Sequence, residues 1–270
     1  MARSKNSVGV NRNLNLAISL FVCLFVFALA SQAPAAEWAS LKGRFVFDGT
    51  PPAPVEITAD KDVEVCGKHK LVNEELVVSD DKGIANVVLF VRSKGVSVHP
   101  DLVDGSKADP VVLDNKDCRF QPHVGFVQTG QTLTIKNSDT VGHNSNIATM
   151  KNSPSNSLVP SNGSSDVTFS RDEAIPASVT CNIHPWMKAY LVIRPNPYGG
   201  VSEADGSFEI ENLPVGEELE FQLWHEKGGY LDEFTLGGKK ASAKRGRIDF
   251  TVEEGGTDLG DIVVDAKMFN

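Results

Sequence analysis

Three side chains with metal-binding chemistry lie within seven residues, in the stretch Cys181-Asn182-Ile183-His184-Pro185-Trp186-Met187. A thiolate, an imidazole and a thioether are soft or borderline ligands. With one further imidazole they make the trigonal set with a weak axial methionine that suits an electron-transfer copper. Zinc prefers a closed tetrahedral set and has little use for a thioether. The missing imidazole is supplied upstream by His143, which follows a strand-like run.

Other chemistry for these residues has weaker support. A nucleophilic Cys181/His184 pair would need a base and oxyanion donors, and nothing in the sequence nominates them. Each residue alone also has an ordinary interpretation, Cys181 as a buried thiol or half of a disulfide and His184 as a surface histidine. The sequence contains no His-x-His pair, which leaves the additional copper centres of multicopper oxidases and nitrite reductases without support. We therefore do not expect an enzyme.

Two further cysteines, Cys66 and Cys118, admit two interpretations. An exported protein with two spare cysteines most often pairs them in a disulfide. The spacings Cys66-x2-His69 and Cys118-x4-His123 also allow a second metal site of two cysteines and two histidines. An oxidising compartment favours the disulfide.

The first thirty-six residues read as an export signal. Arg3, Lys5 and Arg12 precede an apolar run from Leu16 to Ala30, and small residues follow up to Ala36. The run is too short for a membrane-spanning helix, which needs about 20 residues. We expect cleavage between Ala33 and Glu37, no membrane span afterwards, and a periplasmic or secreted protein; the alternative is an uncleaved membrane anchor.

Composition and net charge exclude several classes of protein. With 41% hydrophobic residues and 23% charged residues, the chain is not disordered, collagenous or polytopic. The formal charge is -9, and it becomes -12 once the three basic leader residues are removed. Such an acidic body is a poor candidate for a nucleic-acid binder.

Period-two alternation of apolar residues recurs along the rest of the chain and predicts an all-β protein. Asp-Gly and related turn pairs separate the runs, which is typical of sandwiches rather than βαβ units. A short helical turn is compatible with residues 60–71, and residues 150–166 look like a polar loop. The alternating residues are Phe45 and Phe47; Leu133 and Ile135; Leu219, Phe221 and Leu223; Ile248, Phe250 and Val252.

A break rich in proline and glycine after Arg194 suggests a domain boundary. We expect a signal peptide at 1–36, an N-terminal β segment at 37–83 that packs on a neighbouring domain, a middle domain at 84–195 and a C-terminal domain at 196–270.

The middle domain resembles the cupredoxins, the small type 1 copper proteins. Its Cys-x2-His-x2-Met loop, with proline after the histidine, looks most like that of amicyanin. The order Asn137-x-Asp139…His143-Asn144 is also similar to the family's pattern. The resemblance implies a Greek-key β-sandwich with one type 1 copper held by His143, Cys181, His184 and Met187. It further implies that the Asn144 backbone steadies the thiolate and that His184 reaches the surface.

The C-terminal segment carries a second resemblance. Asp205-Gly206 before a strand-like run and Leu213-Pro214-Val215-Gly216 after it resemble the carboxypeptidase-regulatory-like, or transthyretin-like, β-sandwich modules. The segment around Phe45 is faintly similar to the first strand of such modules. This resemblance implies a second, smaller β-sandwich without a catalytic role.

Together these features predict an exported carrier of single electrons. The resemblance implies that electrons pass through His184, with Trp186 either in the docking surface or in the core. A c-type cytochrome or a copper or quinoprotein enzyme would suit as redox partner. The alternatives are a copper carrier or buffer, a small copper enzyme, and a surface protein that uses the fold as scaffold.

Overall fold

Short strands make up nearly all of the regular structure, as the alternation predicts. The computed structural model describes residues 37–270, so the expected leader lies outside the described residues. The predicted helical turn is a single turn at Val63–Cys66. None of the helices described in this range has the length and apolar character needed to cross a membrane. The protein is all-β.

The strands of the described chain are β1 (Trp38–Asp48), β2 (Val88–Val91), β3 (Val111–Lys116), β4 (Arg119–Gln121), β5 (Val124–Gln128), β6 (Thr132–Asn137), β7 (His143–Ala148), β8 (Ser155–Val159), β9 (Ser164–Thr168), β10 (Ala177–Thr180), β11 (Lys188–Arg194), β12 (Gly199–Val201), β13 (Ser207–Pro214), β14 (Glu218–His225), β15 (Gly229–Tyr230), β16 (Glu233–Leu236), β17 (Lys239–Ser242), β18 (Arg247–Thr251) and β19 (Thr257–Asp265). The helix Val63–Cys66 is α1, and short 3-10 turns lie at Pro100–Leu102, Gly105–Lys107, Lys244–Gly246 and Ala266–Phe269.

The strands form four sheets that pack as two sandwiches. The site sandwich pairs the sheet β5-β11-β10-β7-β8 with the sheet β4-β3-β6-β9. Its core includes Leu133 and Ile135 from one sheet and Ile147 and Leu191 from the other. The second sandwich pairs β13-β1-β19-β16-β17 with β12-β2-β14-β15, which β18 joins at β14.

Alternation along the strands places the predicted apolar residues inside. Phe45, Phe221 and Val252 are fully buried in the second sandwich, whereas Ile248 and Phe250 are partly buried against the same core. Burial of such side chains stabilises a sandwich by about 1.5–3 kcal/mol each.

A third apolar layer joins the two sandwiches. Val88 and Phe90 of β2 pack with Val124 of β5, Val192 of β11 and Trp224 of β14. All four side chains of β2 are therefore buried, because the strand has one sandwich core on one face and this layer on the other. Residues 37–270 consequently form one compact unit.

The position of β2 differs from the predicted division at residue 84. That division places β2 in the middle domain, whereas it pairs with β12 and β14 in the second sandwich. The site sandwich begins only at β3. The boundary predicted at residue 196 falls between β11 and β12. Strand β1 of the N-terminal segment pairs with β13 and β19 of the C-terminal segment, so the two segments share one sheet.

The turns that suggested a regulatory-like module flank β13 in the second sandwich. Asp205 and Gly206 precede the strand, and Val215 and Gly216 separate it from β14. Gly206 has a φ of 86°, and a Cβ there would lie 2.3 Å from the Phe45 carbonyl oxygen, so only glycine fits. The relation of this sandwich to that module family stays a prediction.

The segment 150–166 is not only a loop. Residues 155–159 form β8, and residues 164–166 are the first three of the five residues of β9. Both strands lie at sheet edges, where half of the side chains face solvent, so a polar sequence is compatible with pairing. Composition alone therefore misled the prediction.

A buried ion network ties the sandwiches together near the end of β14. The Glu226 carboxylate, whose side chain is 4% exposed, accepts from His123 Nε2 at 2.6 Å and lies 2.7 Å from Lys188 Nζ. Burial raises the pKa of Glu226, but the hydrogen bonds from His123 and Lys188 outweigh this and lower the pKa to about 2. The charged form is therefore the one that the fold stabilises.

We predict that Glu226→Gln removes much of the acid sensitivity of folding. A carboxyl group with a lowered pKa stabilises the fold above the unfolded-state pKa near 4.5, and this is lost as pH falls toward about 2. The contribution at neutral pH is about 3 kcal/mol. Urea unfolding between those pH values should show a flatter free energy of unfolding in Glu226→Gln than in the wild type. Glu218→Gln, at the exposed start of β14, is the matched control, and equal pH dependence in all three proteins would contradict the prediction.

Candidate metal centre

Two neighbouring strands bring the predicted ligands to one end of the site sandwich. His143 is the first residue of β7, and Cys181 directly follows β10. These strands pair antiparallel, with Thr180 opposite Asn146. The pairing places the end of β10 beside the start of β7, although the two lie far apart in sequence.

The loop after β10 is a tight turn held by its own backbone. The Cys181 N–H donates to the Met187 carbonyl oxygen at 3.3 Å, and the Met187 N–H donates to the His184 carbonyl oxygen at 2.9 Å. Asn144 Oδ1 accepts from the Asn182 N–H at 2.8 Å, which fastens the loop to β7. The short spacing thus returns Met187 toward Cys181.

Three of the four predicted ligands converge. Donor atoms of His143, Cys181 and His184 lie within 4.8 Å of one another, and His184 Nδ1 is 3.7 Å from Cys181 Sγ. Buried His143 Nδ1 has no hydrogen-bond partner among residues 37–270. A buried nitrogen without a partner costs free energy unless a bonding partner is supplied.

Both imidazoles are held from behind by carboxylates. Asp139 Oδ2 accepts from His143 Nε2 at 2.9 Å, and Asp62 Oδ2 accepts from His184 Nε2 at 2.9 Å. An ionised carboxylate only accepts hydrogen bonds, so each Nε2 carries the proton. The Nδ1 atoms are thereby left to face Cys181.

Among the predicted ligands, Cys181 and His143 have pKa values shifted toward their charged forms. Burial raises the pKa of Cys181, but the imidazoles of His143 and His184 beside the sulfur, together with the Asn144 backbone, outweigh this and lower the pKa to about 5. Burial lowers the pKa of His143, but Asp139 and Cys181 outweigh this and raise the pKa to about 9. The fold therefore favours a thiolate, the form in which cysteine binds metals. The Asn144 side chain contacts the sulfur, with Oδ1 3.5 Å from Cys181 Sγ, and the role of the Asn144 backbone stays a prediction.

The donor set fits a copper ion. All four predicted ligands are buried, with exposures of 0% for His143, 2% for Cys181, 0% for His184 and 1% for Met187. Two imidazole nitrogens and a thiolate converge, and Met187 closes the loop beside them. The unpartnered His143 Nδ1 and the ionised thiol are what a copper ion would satisfy.

The structure differs from the expectation that His184 reaches the surface. Its side chain is fully buried, because Asp62 covers the Nε2 edge. Trp186 is partly buried, its ring lies 5.1 Å from that of His184, and its Nε1–H donates to the Cys118 carbonyl oxygen at 3.0 Å. Trp186 thus contacts the core, whereas Ile183 (37% exposed) and Pro185 remain at the surface.

Cys66 and Cys118 form a disulfide, as the cysteine count favoured. The alternative metal site is not formed, because the two sulfurs bond each other. His123 bonds Glu226, and His69 Nδ1 lies 3.5 Å from an Asp117 carboxylate oxygen.

The sequence does not identify the two carboxylates behind the imidazoles as functional residues. Asp139 lies four residues before His143 and belongs to the pattern Asn137-x-Asp139, which by itself does not show that its carboxylate bonds the imidazole. Asp62 is separated from His184 by 122 positions, and no local signal marks it.

Comparisons with known proteins establish no family. No family model matches, and no curated protein matches. Among solved structures, a copper-containing nitrite reductase from Thermus scotoductus is 18% identical with a TM-score of 0.30; the match covers 38% of this chain and 25% of that chain.

Two smaller copper proteins are similar at the same level. A purple cupredoxin from Nitrosopumilus maritimus is 18% identical over 32% of this chain and 99% of its own, with a TM-score of 0.27. A mutant of amicyanin in the oxidised state is 18% identical over 39% of this chain and 98% of its own, with a TM-score of 0.29. The chain thus spans a quarter of the nitrite reductase and nearly all of the two cupredoxins.

We predict one free thiol in the metal-free protein that begins at Glu37. Cys181 is the free cysteine of the described residues, and the other two are bonded to each other. Thiol titration of the unfolded protein should find one reactive group, and three after reduction. In Cys181→Ser the counts should be zero and two, and three thiols in the unreduced wild type would contradict the disulfide.

Proposed function

We propose that this protein is an exported type 1 copper protein that carries single electrons between redox partners. The observation that carries the proposal is the convergence of two carboxylate-backed imidazoles on one buried thiolate, with Met187 at the end of the same loop. His143, Cys181, His184 and Met187 would hold the copper ion, which would supply a one-electron Cu(II)/Cu(I) couple between a reduced and an oxidised partner.

The protein's own residues hold the ligands in one arrangement. Asp139 accepts from His143 Nε2, and the Asn144 side chain ties the loop to β7. Pro185 has no N–H and a fixed φ, so it stiffens the loop. A site that moves little between oxidation states suits rapid electron exchange.

Burial of all four predicted ligands favours a permanently bound copper ion over one that the protein delivers to another molecule. A copper buffer or chaperone must exchange its metal, whereas every predicted ligand here is at most 2% exposed. We therefore propose a carrier of electrons rather than of copper, and a carrier rather than an enzyme.

The protein surface beside His184 suits brief docking of a redox partner outside the cytoplasm. Exposed Ile183 and Pro185 flank His184 and provide a small apolar contact on an acidic body. A redox protein with a basic patch, such as a c-type cytochrome or a copper or quinoprotein enzyme, would dock there. The disulfide supports an oxidising compartment, in line with a periplasmic or secreted location.

We predict an intense blue or green thiolate-to-copper band when Cu(II) is added. The band arises from the Cys181 thiolate and should disappear in Cys181→Ala. Cys118→Ser with Cys66→Ser, which removes two sulfurs outside the donor set, should keep the colour. A colourless wild-type copper complex would contradict the type 1 assignment.

Met187→Leu should keep the colour and raise the reduction potential. A weak axial thioether stabilises Cu(II) more than Cu(I), so removing it favours the reduced state. Voltammetry of both proteins measures the change. A lower potential in Met187→Leu would show that Met187 is not the axial ligand.

A further inference from the structure

The segment 60–67 lies over the one imidazole edge that would otherwise face solvent. Asp62 Oδ2 is 2.9 Å from His184 Nε2, and the His184 side chain is 0% exposed while that of Asp62 is 42% exposed. The half-exposed Asp62 carboxylate therefore lies between this edge of the ring and solvent.

The local structure directs this carboxylate away from its own helix. Asp62 is the N-cap residue of α1, with φ of 43° and ψ of 45°, and its side chain makes no capping hydrogen bond. An N-cap aspartate ordinarily accepts from the first turn of its helix. Here the carbonyl oxygen of Asp62 accepts from Val65 and Cys66, and the carboxylate is left for His184.

The disulfide fixes the cover to the site. Cys66 ends α1 and is bonded to Cys118. The Cys118 N–H donates to Asp139 Oδ2 at 2.9 Å, and the same oxygen accepts from His143 Nε2. The Cys118 carbonyl oxygen accepts from Trp186, whose ring lies against His184. The cover is thus connected to both imidazoles.

We propose that Asp62 is a positioning residue of the copper centre and that residues 60–67 form a built-in cover, held closed by the Cys66–Cys118 disulfide. This proposal rests on the proposed function. The Asp62 carboxylate keeps the proton on His184 Nε2, leaves Nδ1 to bind copper, and makes the imidazole a stronger donor. Its negative charge favours Cu(II) and lowers the reduction potential.

The test of positioning compares Asp62→Asn, Asp62→Ala and Asp60→Asn. Asp60 is exposed and lies two residues away, so Asp60→Asn changes the net charge equally without touching the ring. Voltammetry of the copper-loaded proteins should show a potential raised by both Asp62 variants by several times the shift in Asp60→Asn. Equal shifts in the Asp62 and Asp60 variants would overturn the proposal.

A readout without copper separates this proposal from the proposed function. Nitrogen-15 NMR of the metal-free wild type should show His184 with its proton on Nε2. Asp62→Asn should keep that tautomer, because the amide oxygen still accepts, whereas Asp62→Ala should give a mixture. An unchanged tautomer in Asp62→Ala would contradict positioning by Asp62, even if the copper complex is blue. A colourless complex with the expected tautomers would contradict only the proposed function.

The cover is tested by the rate at which a chelator removes copper. Opening the cover exposes His184, so Cys66→Ser combined with Cys118→Ser should lose copper at least tenfold faster than the wild type. Asp62→Ala, which keeps the disulfide, should also lose copper faster and provides the test if the double variant does not fold. Wild-type rates in Asp62→Ala would show that residues 60–67 do not protect the site.

Discussion

Two hydrogen bonds from buried imidazoles to carboxylates determine what this site can do. Each bond fixes which ring nitrogen carries the proton, and both leave Nδ1 facing the thiolate of Cys181. Without Asp139 and Asp62 the rings of His143 and His184 would be free to turn and to exchange tautomers. The arrangement of donors therefore depends on residues that are not donors themselves.

The sandwich supplies the rigid part of this arrangement. Pairing of β7 with β10 sets the distance between His143 and Cys181, and the hydrogen bond from the Asn182 N–H to Asn144 fixes the loop against β7. The cover comes from outside this sandwich, from the segment between β1 and β2, and the disulfide attaches it. A metal centre made from one sandwich is thus completed by a second part of the chain.

Local patterns predicted the parts of the structure that depend on nearby residues. The Cys-x2-His-x2-Met spacing and the alternation at Phe45 or Leu133 act over a few positions, and the structure places those residues together or inside. Pairings over long distances had no such signal. The bond between Asp62 and His184 and the placement of β2 in the second sandwich result from tertiary packing, which propensity and period do not encode.

The burial of His184 is a second feature that local sequence patterns do not predict. The resemblance to cupredoxins implies an imidazole edge at the surface. A turn more than one hundred residues earlier in the chain changes the outcome by covering the edge, so that Ile183 and Pro185, rather than His184, meet the solvent.

X-ray absorption of the copper-loaded protein in both oxidation states tests the central claim most directly. Because both imidazoles are buried and held by carboxylates, we predict one short copper–sulfur bond and two imidazole ligands in Cu(II) and in Cu(I), with the ligand set unchanged on reduction. A copper centre without a thiolate bond, or one that loses an imidazole when reduced, would contradict it.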